Sequence, residues 1–190
     1  MPGPVVARTR IHDRVGISCV AIAGVAASLL VAPDVRGALG AGLLLVMLAI
    51  AIIDMRHLII PDELNAAGLA LALLNAAIQS PETILAAVAA AVLRGTLAAL
   101  FFLGIRVAYR RLRQREGIGL GDVKLAGVAG GWLDWLTIPI AVEIAAVAAL
   151  AAYVMRGRSV DPMTRLPFGL FFAPGIWLGW LIDTMALNPP

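Results

Sequence analysis

Long apolar stretches separated by short polar ones are the feature that most limits what this chain can fold into. A helix needs roughly 20 apolar residues to cross the hydrocarbon core of a bilayer, and stretches near that length recur along the sequence. Hydrophobic residues make up 61% of the chain and charged residues 14%, which excludes an ordinary soluble domain, a disordered chain and a nucleic-acid-binding protein. We therefore predict an all-α polytopic bundle in the lipid bilayer, with seven spans at residues 15–32, 37–53, 64–78, 83–107, 123–135, 136–155 and 168–187.

The positions of the basic residues test this topology independently, because Lys and Arg accumulate in the cytoplasmic loops of membrane proteins. With the N-terminus in the cytoplasm, seven spans place thirteen Lys and Arg residues on one side and only Arg36 on the other, while Arg94 falls inside the fourth span. A wrong number of spans would place all later loops on the opposite side of the membrane. The asymmetry therefore predicts a cytoplasmic N-terminus and an outside C-terminus in the inner (plasma) membrane. The cytoplasmic set is Arg8, Arg10, Arg14, Arg56, Arg106, Arg110, Arg111, Arg113, Arg115, Lys124, Arg156, Arg158 and Arg165.

The domain organisation follows from the same spans. We expect residues 1–190 to form a single membrane domain, with a basic cytoplasmic segment at 1–14, an extra first span at 15–36 and a core at 37–187. The first span lacks a small-residue cleavage signature, so we interpret it as a retained helix. Cys19 is the only cysteine, which excludes an internal disulfide and a multi-cysteine zinc site. We predict no metal and no other cofactor.

Two polar clusters on the predicted cytoplasmic side carry the candidate chemistry. Residues 53–62 include Asp54 at the end of the second span, and residues 117–124 include Asp122 at the start of the fifth. The topology puts both aspartates on one membrane face, where they can meet. Two adjacent carboxylates titrate as a unit, with one ionised and one protonated. An aspartic protease uses such a pair to take a proton from water and to polarise the scissile carbonyl.

At these residues the chain resembles the type IV prepilin peptidases, a family of GxGD intramembrane aspartic proteases. Residues 119–124 read Gly-Leu-Gly-Asp-Val-Lys and match GxGDxK, residues 54–62 match the segment that ends in Ile-Pro-Asp, and residues 166–169 match the late Pro-Phe-Gly element. The resemblance implies that Asp54 and Asp122 are the catalytic pair. The residues that it implies shape the site or bind substrate are Asp62, Gly119, Gly121, Lys124, Pro167, Phe168 and Gly169.

The resemblance also implies the reaction and its setting. The expected enzyme hydrolyses the basic leader of prepilin-like or pseudopilin proteins at the cytoplasmic membrane face, in pilus assembly or protein secretion. Many members add a domain with paired CxxC motifs and methylate the new N-terminus. With a single cysteine, this chain resembles the short, peptidase-only form. A homo-oligomer is compatible with the sequence, which does not identify the pilin served.

Other interpretations stay open at this stage. The protein could be a small ion-coupled transporter or a membrane assembly subunit, since charged residues in spans serve both. Asp122 and Asp62 could be helix caps, and His57 could assist proton transfer. Lys124 or the arginines between Arg106 and Arg115 could meet acidic substrate groups, although the positive-inside rule alone accounts for these arginines. We also predict that the two intramembrane charges, Arg94 and Glu143, form an ion pair.

Overall fold

The computed structural model describes residues 4–114, 117–155 and 167–187, with side chains from residue 15 onward. The positive-inside arginines Arg115, Arg156, Arg158 and Arg165, the side chains of Arg8, Arg10 and Arg14, and Leu166 of the Pro-Phe-Gly element lie outside this description. The helices are α1 (Pro4–Val31), α2 (Val35–His57), α3 (Asp62–Gln79), α4 (Ile84–Arg113), α5 (Leu120–Trp132), α6 (Thr137–Met155) and α7 (Gly169–Ile182), and a π-helical turn (Asp183–Leu187) follows α7.

The predicted fold class is confirmed, because each predicted span coincides with a helix and the described residues contain no strand. By length and hydropathy, four described segments can cross a membrane, namely Val35–His57, Ile84–Arg113, Thr137–Met155 and Phe168–Ala186. The chain is therefore a multi-pass membrane protein. α5 has 13 residues, so it rises only about 20 Å and does not cross a ~30 Å core alone. The arrangement of seven full spans stays a prediction.

The helices pack around a core formed mainly by α2, α5 and α7. Fully buried side chains from these three helices include Leu43, Met47, Leu125, Phe172 and Ile176. α1 joins this core through Ser28, whose hydroxyl oxygen accepts a hydrogen bond from the Trp177 indole N–H at 3.0 Å. Such buried polar contacts between helices satisfy groups that lipid cannot.

The contacts between α3, α4 and α5 set the direction of α5. Asp62 at the start of α3 contacts Lys124 on α5, and Ala72 farther along α3 lies beside Gly131 farther along α5. The two helices are therefore parallel. The neighbours on α4 move the opposite way, so α4 is antiparallel to both. Consequently α3 and α5 both begin at the end of the bundle where α2 finishes.

Two glycines let α4 and α5 approach until their backbones touch. A Cβ added at Gly130 would lie 2.6 Å from the carbonyl oxygen of Arg94, and one added at Gly95 would lie 2.7 Å from that of Gly127. Small residues at such crossings are typical of membrane helices, where close van der Waals packing replaces the hydrophobic effect. α5 is also held to α3 by the Trp132 indole, which donates to the Gly68 carbonyl at 3.0 Å.

The predicted pair between Arg94 and Glu143 is wrong. Nε of Arg94 donates to the carbonyls of Leu133 at 3.0 Å and Gly130 at 3.3 Å, and Nη1 lies 3.8 Å from a carboxylate oxygen of Asp134. Glu143 is exposed on α6. The last carbonyls of a helix lack intrahelical partners and carry a partial negative charge, so a guanidinium at the end of α5 satisfies both needs. The partner for this charge was the helix end itself, which hydropathy does not reveal.

Candidate active site

Asp54 lies where the end of α2 meets the beginning of α7. It occupies the last turn of α2, and its residue is 5% exposed. Its Oδ2 accepts a hydrogen bond of 2.9 Å from the N–H of Leu170, in the first turn of α7. The first N–H groups of a helix have no partner within the helix, so a carboxylate is a favourable acceptor there. The chain thus brings together two positions that are 116 residues apart.

Asp122 lies in the first turn of α5. Its Oδ2 accepts the N–H of Gly119 at 3.1 Å. Gly119 is the residue that caps α5, and Asp122 is the third residue inside the helix, so Asp122 is not the N-cap. A carboxylate at this position commonly reaches back to the N–H of the capping residue. The carboxylate of Asp122 therefore ties the capping glycine to the first turn of α5.

The surroundings of Asp122 favour its protonated form. Burial raises the pKa of the Asp122 carboxyl to about 6, and the negative charge of Asp54 raises it as well, against the opposing effects of the Gly119 N–H and of the Arg106 guanidinium. Burial and a like charge both disfavour ionisation of a carboxyl group. Asp54 and Asp122 are thus close enough to interact electrostatically.

The two aspartates line one cavity of about 270 Å³. An apolar rim made by Leu58, Ile59 and Leu120 surrounds it, and these side chains are half-exposed or more. His57 is exposed and does not line the cavity, so nothing in its position supports a role in proton transfer. Among the lining residues are six that the sequence marked as catalytic or site-shaping, namely Asp54, Asp62, Gly119, Gly121, Asp122 and Lys124.

The loop from α2 to α3 turns sharply at Leu58. Leu58 has φ 55° and ψ 34°, and its N–H donates to the Asp54 carbonyl at 2.9 Å, which closes α2. This left-handed conformation costs a residue with a Cβ about 1–2 kcal/mol, so glycine is the usual choice. Here leucine takes the position and stands on the rim of the cavity.

Ile60 packs between the two glycine-containing motifs, and the sequence analysis gave it no role. A Cβ added at Gly121 would lie 2.9 Å from Cβ of Ile60, and one added at Gly169 would lie 2.8 Å from its Cδ1 and 2.9 Å from Oδ2 of Asp54. Both glycines are therefore required for close approach. Ile60 could not be found from its own segment, because its contacts come from α5 and α7.

Pro167 and Phe168 do not line the cavity. The Phe168 ring packs against Phe172 with centroids 5.3 Å apart, and Phe172 stacks on Phe102 of α4 at 5.5 Å. Pro167 is half-buried just before α7. These residues therefore fix the start of α7, and with it the N–H that Asp54 binds.

Asp62 and Lys124 form an ion pair at the edge of the cavity, with Nζ and Oδ1 2.6 Å apart. Pro61 occupies the N-cap of α3 and Asp62 is the first helical residue, so the prediction that Asp62 caps this helix is wrong. Arg106 donates from Nη1 to the carbonyl of Ile118 and so binds the loop before α5. Within the described part of the chain, no group of three or more His, Cys, Asp or Glu residues could hold a metal ion.

Comparison with known proteins assigns this arrangement to a family. The model of the type IV leader peptidase family matches residues 41–154, more than half of the chain and a stretch that contains both aspartates. The chain belongs to this family. It is therefore a peptidase, as predicted. The Pro-Phe-Gly element lies beyond the matched residues.

Individual relatives of this leader peptidase differ in how much of their length it covers. It is 35% identical to leader peptidase HopD of Escherichia coli over 67% of this chain and 82% of that protein, and 34% identical to HopD of Salmonella typhimurium over 71% and 87%. It is also 37% identical to a prepilin leader peptidase/N-methyltransferase of Burkholderia pseudomallei, over 70% of this chain but only 43% of that protein. No solved structure matches this chain.

Proposed function

We propose that this leader peptidase removes the leader peptide of prepilin-like proteins, with Asp54 and Asp122 acting as a catalytic pair. The observation that carries the proposal is that the two aspartates line one cavity, where the charge of Asp54 acts on Asp122. The relatives named as prepilin leader peptidases support the class of substrate.

Each aspartate takes one role in hydrolysis. Asp122, with its raised pKa, holds the shared proton, while ionised Asp54 remains fixed by the Leu170 N–H. Asp54 takes a proton from a water molecule, whose oxygen attacks the carbonyl carbon, and Asp122 donates its proton to the carbonyl oxygen. In the collapse of the tetrahedral intermediate, the C–N bond breaks. Asp54 then gives its proton to the leaving nitrogen, and the proton on the intermediate's oxygen returns to Asp122.

The walls of the cavity suit a polypeptide rather than a small polar substrate. The rim formed by Leu58, Ile59 and Leu120 offers apolar contacts in the same cavity as the carboxylates. The catalytic end of the bundle is also the end at which the basic residues of α4, Arg110, Arg111 and Arg113, are located. By the positive-inside rule this end faces the cytoplasm, so we assign cleavage to the cytoplasmic face of the inner membrane.

A cleavage assay tests the pair directly. The full-length protein in lipid nanodiscs is mixed with a prepilin-like substrate that has a basic leader and a hydrophobic helix, and products are identified by mass spectrometry. We expect wild type to cleave at one site after the leader. Asp54→Asn and Asp122→Asn should each slow cleavage by at least about 10³-fold, because a carboxamide keeps the size of the side chain but cannot cycle a proton.

A matched control is Glu63→Gln, which neutralises an exposed acid in the first turn of α3 that does not line the cavity. It should cleave at the wild-type rate. Normal cleavage by either asparagine variant would overturn the catalytic pair. A wild-type protein that cleaves other membrane peptides but no prepilin-like leader would overturn the substrate class.

A further inference from the structure

A second cavity, of about 450 Å³, lies beside the catalytic one. It is formed by α3, α4 and α5, and its walls are largely small or apolar, with Ala66, Leu69, Val92, Ala99 and Gly127 among them. We call it the α3–α5 groove. Its volume falls in the range of about 300–1,000 Å³ that is typical of binding pockets. Nothing in the mechanism above uses it.

The groove adjoins the catalytic cavity. Asp62 and Lys124 line both, so their ion pair forms the border between them. At 70% and 50% exposure, these side chains can separate without leaving a buried charge. Because α3 and α5 run in parallel from this border, the groove leads away from the aspartates along these helices, and Leu69 and Val92 in its walls are partly exposed on the flank of the bundle. The seven helical steps from Asp62 to Leu69 correspond to about 10 Å.

One buried polar side chain in the groove finds no partner among the residues that the structure describes. Asn65 is 6% exposed, and neither its Nδ2 nor its Oδ1 makes a hydrogen bond to any of them. A buried amide without partners is unfavourable, so such a group in a native protein calls for an explanation. An asparagine amide offers one acceptor and two donors, which complement the N–H and C=O of a peptide unit.

We propose that the α3–α5 groove binds the stretch of substrate polypeptide next to the scissile bond, and that Asn65 turns its amide toward a backbone peptide group of this stretch. The inference rests on the proposed function and adds the place where the substrate is held. A lipid acyl chain would fit the apolar walls, but it has no groups that could satisfy Asn65. The chain passes the border where Asp62 and Lys124 meet and enters the groove from the catalytic cavity.

Filling the groove tests the proposal through the separation of KM from kcat. Ala66→Phe places a ring in the groove, whereas Ala70→Phe adds the same ring on an exposed position of α3 outside it. With the prepilin-like substrate in nanodiscs, we expect Ala66→Phe to raise KM at least 10-fold with kcat within 2-fold of wild type. Ala70→Phe should change neither constant.

Removal of the amide tests the role of Asn65. Asn65→Leu keeps the branched shape and the number of heavy atoms of the side chain and eliminates an unsatisfied buried group, so the variant should fold. We expect its KM to rise about 3- to 10-fold, which corresponds to the loss of one hydrogen bond to the substrate. Thermal unfolding of the same preparation should show no loss of stability, which separates a binding role from a structural one.

Photocrosslinking locates the bound chain without requiring turnover. A prepilin-like peptide with a photoreactive phenylalanine analogue on either side of the scissile bond is bound to Asp122→Asn, and the crosslinked residues are mapped by mass spectrometry. Crosslinks to Ala66, Leu69 or Val92 support the proposal. The groove proposal would be overturned if wild type cleaves the substrate but all crosslinks lie outside the groove and Ala66→Phe leaves KM unchanged. This result would leave the catalytic pair intact.

The lipid alternative gives a different set of results. Native mass spectrometry could detect a co-purifying lipid in wild type but not in Ala66→Phe. If KM of Ala66→Phe is unchanged as well, this result would also overturn the proposal. If wild type cleaves no prepilin-like substrate at all, the proposed function itself fails. The two failures are therefore distinguishable.

Discussion

The amino-terminal end of α5 borders an open cavity, whereas its carboxyl-terminal end is closed by contacts with α3 and α4. At the first end, Asp122 is bound by one backbone N–H and faces Asp54. At the other, Trp132 and Arg94 donate to backbone carbonyls, and glycines bring the α4 and α5 backbones together. The difference teaches that close packing at one end of a short helix can fix the position of a carboxylate at the other.

Substitution of Gly130 should break this arrangement most severely. In Gly130→Ala the new Cβ would lie 2.6 Å from the Arg94 carbonyl oxygen, and backbone cannot move aside as a side chain tip can. We expect a loss of about 3 kcal/mol of stability and of most activity, since over-packing of this kind separates the helices. Thermal unfolding in detergent, followed by circular dichroism, measures the first effect.

Gly127 provides the control for Gly130 on the same helix. A Cβ added there would find its nearest neighbours at 3.6 Å, which is ordinary van der Waals contact. Gly127→Ala should therefore unfold near the wild-type temperature. Equal stability of the two alanine variants would show that the α4–α5 contact does not hold α5.

Loss of the Arg94 guanidinium should have a smaller effect at the same end. Arg94→Met removes charge-assisted hydrogen bonds to two carbonyls, so we expect about 2 kcal/mol of destabilisation, with kcat/KM of the folded protein changed less than 3-fold. Chemical or thermal unfolding gives the stability and the cleavage assay gives the rate. The effect of Glu143→Gln should be the same with and without Arg94→Met. A coupling energy above about 0.5 kcal/mol between the two substitutions would show that Arg94 and Glu143 interact, as the sequence predicted.

Changes at the open end should affect activity more than stability. Gly121→Ala brings a Cβ within 2.9 Å of Ile60, which displaces the loop that carries the rim of the cavity. We expect kcat/KM to fall about 10-fold. Ile60→Gly in the same chain removes the Cβ that is contacted and should restore part of the rate. If the loss of kcat/KM in the double variant equals the product of the losses in the two single variants, the effect of Gly121→Ala does not act through Ile60.

The sequence allowed prediction of this site only as far as helix ends and their sides can be inferred from hydropathy and basic residues. That reasoning placed Asp54 and Asp122 at the same end of the bundle, and the structure has them in one cavity. It failed where a contact depends on the rotation of a helix, as for Arg94, and where the N-cap lies one residue earlier than expected, as for Asp62. Ile60 was missed because its role requires three elements to meet.

The central claim is that Asp54 and Asp122 share one proton, and an infrared titration of Asp122 tests it most directly. The protonated carboxyl band of Asp122, identified by its absence in Asp122→Asn, is followed against pH in wild type and in Asp54→Asn. In wild type Asp122 should lose its proton as the pH rises through about 6. Removal of the negative charge of Asp54 should move this loss to lower pH, because a neighbouring anion raises the pKa of a carboxyl group. The same midpoint in both proteins would contradict the pair.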